Sequence, residues 1–97
     1  MNVVILPEAE AELQDAVEYY DSKGTDLGDR LMEAYFRALD RIRDFPHVHP
    51  KGRLKTRKCK LQRFPYTLVY PIGGEPIIVY ALAHQSRKPG YWRGRLS

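Results

Sequence analysis

Apolar residues run together at Val3-Val4-Ile5-Leu6, recur every three or four positions from Ala9 to Ile42, and alternate with polar ones from Thr56 onward. Each pattern predicts a different element. The opening run predicts a short strand over Asn2–Leu6. Pro7 then suits the first turn of a helix, where a missing N–H costs nothing. Glu8, Glu10 and Glu12 favour the same end through the helix dipole. Ala9, Leu13, Ala16, Val17 and Tyr20 form one stripe, and Gly24 predicts the stop. A second helix, capped by Thr25 or Asp26, continues the spacing through Leu31, Tyr35, Ala38, Leu39 and Ile42 until Pro46 ends it.

The second helix carries an additional apolar row, Met32 and Phe36, beside its main stripe. A helix apolar over so wide an arc is either deeply buried or covered by a partner. After a loop from His47 to Lys55, the period becomes two. Cys59 and Leu61 alternate with Lys58, Lys60 and Gln62, which predicts a strand with one wet, basic face. Phe64-Pro65 predicts a turn, and Tyr66–Tyr70 a β-branched and aromatic strand. Gly73-Gly74 reads as a two-residue hairpin. Ile77–Ala83, apolar almost throughout, predicts a strand covered on both faces. The order is β-α-α-β-β-β. It predicts an α+β fold, with a helical hairpin packed on one face of a mainly antiparallel sheet.

Composition narrows the class. Ninety-seven residues, 43% apolar and 29% charged, predict a single globular domain over residues 1–97. No apolar run approaches the length needed to span a bilayer, and the start lacks the basic region of a signal peptide. One cysteine, Cys59, cannot form an internal disulfide and reads as a small buried filler. These features agree with a cytoplasmic protein that has no membrane partner.

Charge changes the picture more. Residues 1–50 hold five basic and eleven acidic side chains, whereas residues 51–97 hold eleven basic and one acidic, Glu75. The second half therefore carries a net +10 and predicts an acidic partner, either nucleic acid or protein. Its basic groups fall on the loop and strand after the helices and again beyond the last strand. The expectation is that Arg57, Lys60, Arg63, His84, Arg87, Tyr91, Trp92 and Arg95 assemble into one recognition surface on the sheet, opposite the helices. Two chemistries fit such a set. A metal-independent ribonuclease would use His84, Arg87 and Tyr91, with the histidine moving protons and the cations holding phosphate. A protein-binding module would use Tyr, Trp and Arg as anchors. His47 and His49 lack the further ligands of a metal site, and no phosphate loop, nucleophile motif or cofactor box is present.

The chain resembles the RelE/ParE superfamily of bacterial type II toxin–antitoxin toxins over essentially its whole length. The resemblance rests on a strand–helix–helix start with Tyr19-Tyr20 closing the first helix, and on FPYTLVY at Phe64–Tyr70. It rests most on HQSRKPGYWRGR at His84–Arg95, which matches the H-x-x-R-x-P-x-Y-W-x-x-R ending of ParE-like members. It implies a cytosolic growth-inhibiting toxin, of the kind tied to plasmid stabilisation, neutralised by a small antitoxin. That antitoxin would cover Met32 and Phe36 and bring acid to Arg57 and Lys60. The RelE branch cuts mRNA on the ribosome, and the ParE branch poisons DNA gyrase. RelE-like members usually carry arginine directly after the tyrosine of the third strand. Here Thr67 stands there, and threonine cannot supply a fixed positive charge. The resemblance therefore implies the ParE branch, acting by binding gyrase, with RelE-like cleavage as the alternative.

Overall fold

The computed structural model describes residues 2–96. Its elements are β1 (Val3–Ile5), α1 (Pro7–Lys23), α2 (Leu27–Asp44), β2 (Thr56–Lys60), β3 (Tyr66–Pro71), β4 (Ile77–Val79) and β5 (Ala81–His84). Single 3-10 turns lie at Arg53–Lys55 and Tyr91–Arg95. The two helices pack together over a three-stranded antiparallel sheet of order β2-β3-β5, while β1 and β4 form a parallel pair beside it. This is the expected α+β arrangement.

The stripe of α2 is buried as its spacing demands. Leu31, Tyr35, Ala38, Leu39 and Ile42 all lie in the core, against Cys59, Leu68, Tyr70 and Leu82 of the sheet. From α1, Ala9 and Ala16 are buried, and Leu13, Val17 and Tyr20 pack at the margin. Tyr20 meets Phe64 edge-on at 5.1 Å, so the paired tyrosines and the FPYTLVY strand converge in space. In the second row of α2, Met32 is half-buried and Phe36 remains 53% exposed.

Three local expectations are corrected. Neither Thr25 nor Asp26 caps α2 with its side chain. Asp21 in the last turn of α1 does so instead, its Oδ1 accepting the Gly28 N–H at 3.1 Å. A Cβ on Gly28 would lie 2.1 Å from that oxygen, so glycine makes room for the carboxylate. The helical hairpin is thereby tied at its own corner, a tertiary contact that local spacing does not encode.

Gly73-Gly74 does not form a two-residue hairpin, because five residues, Ile72–Pro76, separate β3 from β4. Both glycines have positive φ, 79° and 89°. Pro76 lacks the N–H that a ladder position there would need. The stretch Ile77–Ala83 is also not one strand. It pairs first with β1 and then, after Tyr80, with β3. Tyr80 marks the change of partner, with its N–H donating to the Val69 carbonyl at 2.8 Å. Burial on both sides gave an unbroken apolar run, and burial alone does not reveal a switch of neighbours.

Candidate functional site

Strand alternation sorts the basic residues into separate places. Cys59, Leu68 and Leu82 face the helices, so Lys58, Lys60, Thr67 and Ala83 face outward, with Lys60 beside Thr67 and Thr67 beside Ala83. Arg53, Lys58, Arg87 and Lys88 line a cleft of about 160 Å³ over this outer face, floored by Thr67, Val69 and Ala83. The Tyr91–Arg95 turn folds back beside it. Trp92 from that turn packs on Val69 and Ala81 and stacks on Tyr80 with ring centroids 6.3 Å apart. The C-terminal stretch thus gives the outer face a small core of its own.

Arg57 is not part of this surface. It is one position out of phase with Lys58, pairs with Tyr70 and lies on the helix side. There its Nη1 donates to the His49 carbonyl at 2.9 Å. The Tyr70 hydroxyl donates to the Pro46 carbonyl at 2.8 Å and lies 2.9 Å from His49 Nδ1. These contacts staple the loop after α2 to the sheet. Burial pushes the Tyr70 phenol up to about 12. Burial, followed by the fields of Arg41 and Arg57, holds the His49 imidazole below its ordinary value.

Arg63 is also elsewhere. It sits in a left-handed turn, φ 69°, and lines a groove with Tyr20, Leu27, Arg30, Arg37 and Phe64 on the helix side. The expectation of one surface containing Arg57, Lys60, Arg63, Arg87 and Tyr91 is therefore corrected. The period-two pattern decided the outcome: adjacent strand residues point to opposite faces, and Arg57 and Lys58 are adjacent.

Arg95 and Tyr91 are bound by an acidic residue near the start of α1. Glu12 of α1 accepts both Arg95 guanidinium nitrogens, at 2.8 and 3.1 Å, together with the Leu82 N–H at 3.0 Å and the Tyr91 hydroxyl. Arg95 also donates to the Tyr80 carbonyl at 3.0 Å. The Leu82 N–H has its partner in Glu12 and not in β3, so it lies on the free edge of β5. The ion pair plugs an edge that would otherwise be open. Burial, with the Glu12 hydrogen bond behind it, drives the Tyr91 phenol far above its usual value. The same hydrogen bond raises the Arg95 guanidinium. Arg87 lies across the Tyr91 ring, 3.8 Å from its centroid.

His84 falls on the helix-facing side of β5, edge-on to Tyr66 at 5.0 Å, and borders the outer cleft. Its Nδ1 accepts the Ser86 N–H at 3.0 Å, so Nε2 is the nitrogen left free. Trp92 is only 4% exposed, which removes it from base stacking or partner contact and assigns it to packing. Among the described residues, no cluster of His, Cys, Asp and Glu could hold a metal ion. No helix among them is long and apolar enough to cross a membrane.

A strand, a helical hairpin and a sheet closed by a C-terminal turn are now in place, and comparison with known proteins gives them a family. The family model described as the ParE toxin of the type II toxin–antitoxin system parDE matches residues 3–89. The chain belongs to the ParE toxin family. Among solved structures, it is similar to the chromosomal ParDE toxin–antitoxin system from P. aeruginosa. That match has a TM-score of 0.63 at 16% identity, covering 87% of this chain and 95% of that one. At this identity the likeness supports the fold. No curated protein sequence matches the chain. The family match stops short of Tyr91, so the Glu12–Tyr91–Arg95 lock of this ParE toxin lies partly outside it.

Proposed function

We propose that this ParE-family chain arrests growth by binding a protein target in the cytoplasm, DNA gyrase first among candidates, and is neutralised by a cognate antitoxin. The observation that carries the reading is the state of Tyr91. Its hydroxyl is committed to Glu12, burial and that contact keep it protonated, and its neighbour Arg95 is consumed by the same carboxylate. With Thr67 on the cleft floor, the set His84, Arg87 and Tyr91 has no free hydroxyl and no fixed charge from β3. Such a surface is better suited to binding than to cutting.

The antitoxin has a natural seat on α2. Phe36 is exposed next to Met32, and the groove beside this helix is walled by Tyr20, Leu27 and Phe64, with Arg30, Arg37 and Arg63 at its rim outnumbering one acid, Glu33. An amphipathic segment with acidic flanks fits apolar walls and a basic rim. Phe36→Ala should leave folding intact while weakening antitoxin affinity by about 1–3 kcal/mol, which calorimetric titration measures.

The target is tested by DNA supercoiling with purified toxin and gyrase. Inhibition removed by added antitoxin supports the reading. Unimpaired supercoiling at toxin excess, while induced cells still arrest, would eliminate gyrase. The alternative is RelE-like cleavage of mRNA on the ribosome, favoured by His84 and Arg87 bordering one cleft with Lys58. It requires transcripts to be cut after induction and His84→Ala to abolish toxicity.

A further inference from the structure

The outer face of the sheet carries charge that the proposed antitoxin groove does not use and that, apart from Arg87 over the Tyr91 ring, the fold does not use either. Arg53, Lys58, Lys60, Arg87 and Lys88 are all exposed. Among the described residues, no carboxylate forms a salt bridge with any of them; the two ion pairs present are Arg43–Asp40 and Arg95–Glu12. No acidic residue lines the outer cleft.

The cations are arranged as two banks. Lys58 and Lys60 rise from β2 with Arg53 beside them, and Arg87 and Lys88 descend from the segment after β5. Between them lie the small outward residues of β3 and β5, Thr67 and Ala83 in register. Arg53 reaches from the first bank toward Gly90 beside the second, so the cleft between them is narrow and suits one phosphate backbone rather than a duplex. The cleft holds about 160 Å³, roughly the volume of five liquid waters, enough for a phosphate and part of its sugar.

One bank is built with strained backbone. Leu54 and Lys55 are consecutive non-glycine residues in the left-handed region, at φ 56° and 57°. Thr56 Oγ1 holds this turn by donating to the Arg53 carbonyl at 2.6 Å. The turn sends the Arg53 side chain across toward Gly90, where an added Cβ would meet Arg53 Cδ at 3.9 Å. Strain of this kind persists where the surroundings impose it, and it collects at sites with a task.

We propose that this outer face binds single-stranded nucleic acid, gripping its phosphates between the Lys58–Lys60–Arg53 bank and the Arg87–Lys88 bank, and that it does so without cutting the strand. A protein interface would need an apolar, aromatic centre. Here the floor is a threonine and an alanine, Val69 and Trp92 are buried, and the half-buried Tyr91 ring at the cleft wall is covered by Arg87. Cutting is disfavoured by the capture of the Tyr91 hydroxyl on Glu12. The proposal stands apart from the gyrase reading, because it is measured on oligonucleotides alone.

The test is fluorescence anisotropy of labelled oligo(U) and oligo(dT) titrated with the whole toxin over a salt series. Binding should weaken linearly in log–log form, with a slope of about −0.7 for each phosphate neutralised. Lys58→Ala and Lys88→Ala should each lower that slope by about 0.7 without moving the thermal midpoint. The double reversal Lys58→Glu with Lys88→Glu should reduce affinity by more than about tenfold at low salt. The oligonucleotide recovered afterwards should be intact on a gel. Four results would overturn the proposal. They are no binding at low salt, equal binding to a duplex of the same length, a cut oligonucleotide, and displacement by polyglutamate at equal charge. The last would assign the surface to an acidic protein.

Discussion

The two faces of the β2–β3–β5 sheet are built from the same strands and do opposite things. Toward the helices, Cys59, Leu68, Tyr70 and Leu82 are almost wholly buried. One residue away in the same strands stand Lys58, Lys60, Thr67 and Ala83, cationic or small, over an open cleft. A one-residue slip would exchange the two sets, so the register that makes the core also makes the charged face. Stability belongs to the inner face and to its edge lock, whereas the outer face away from Trp92 is free of structural duty. Substitutions should divide accordingly.

The largest effect is expected from Leu82→Ala. Leu82 is buried in the core on the helix-facing side of β5, so truncation should cost about 2–5 kcal/mol, read as a lower urea midpoint at constant slope. Next comes Glu12→Ala. It strands the Arg95 guanidinium, the Leu82 N–H and the Tyr91 hydroxyl together. The side chains of Arg95 and Glu12 are 17% and 15% exposed, so water offsets part of the loss. About 3 kcal/mol remains, at the low end for a buried pair. Glu12→Ala costing no more than an ordinary surface change would show that the C-terminal turn docks through Trp92 alone.

How far these faces were legible depended on the range of the contacts. The stripe of α2 and the alternation from Lys58 to Leu61 are periodic in sequence, and the structure buries and exposes them as their periods require. The Glu12 lock joins residues 79 and 83 positions apart and has no period. The sequence signal that could have exposed it is a glutamate in the first turns of an amphipathic helix that must cross the end of a sheet. Asp21 and Gly28 are only seven residues apart, but they belong to different helices across a turn, so neither helix's spacing shows the cap. Arg57 could have been placed correctly, since period two already set it opposite Lys58. Its count among the cations obscured that. Trp92 looked like a contact residue by composition and is packing by position.

The inner face also predicts a pH dependence that the outer face should not share. Burial and the charges of Arg41 and Arg57 depress His49 in the folded state, and the Tyr70 hydroxyl occupies its Nδ1. As pH falls, the unfolded chain takes up this proton first, so stability declines from about pH 6.5, the unfolded value, downward. The decline levels off once the folded value is passed. His49→Asn should flatten this part of the profile of thermal midpoint against pH. An unchanged slope in the variant would show that His49 does not carry the dependence.

The smallest effect sharpens the comparison most, because it comes from two neighbours in one strand. Arg57 and Lys58 differ by one position and by one face. Arg57→Ala removes the donor to the His49 carbonyl, and with it one of the staples on the loop after α2. It also removes a buried Nε that has no hydrogen-bond partner among the described residues, which offsets part of the cost. A net loss of about 1 kcal/mol follows. Lys58→Ala removes an exposed cation from a like-charged bank, so stability should stay within about 0.5 kcal/mol and rise if it moves at all. Parallel urea curves for the two variants decide the matter. A larger loss from Lys58→Ala than from Arg57→Ala would mean that the outer bank helps hold the sheet, and the separation of stability from charge between the two faces would fail.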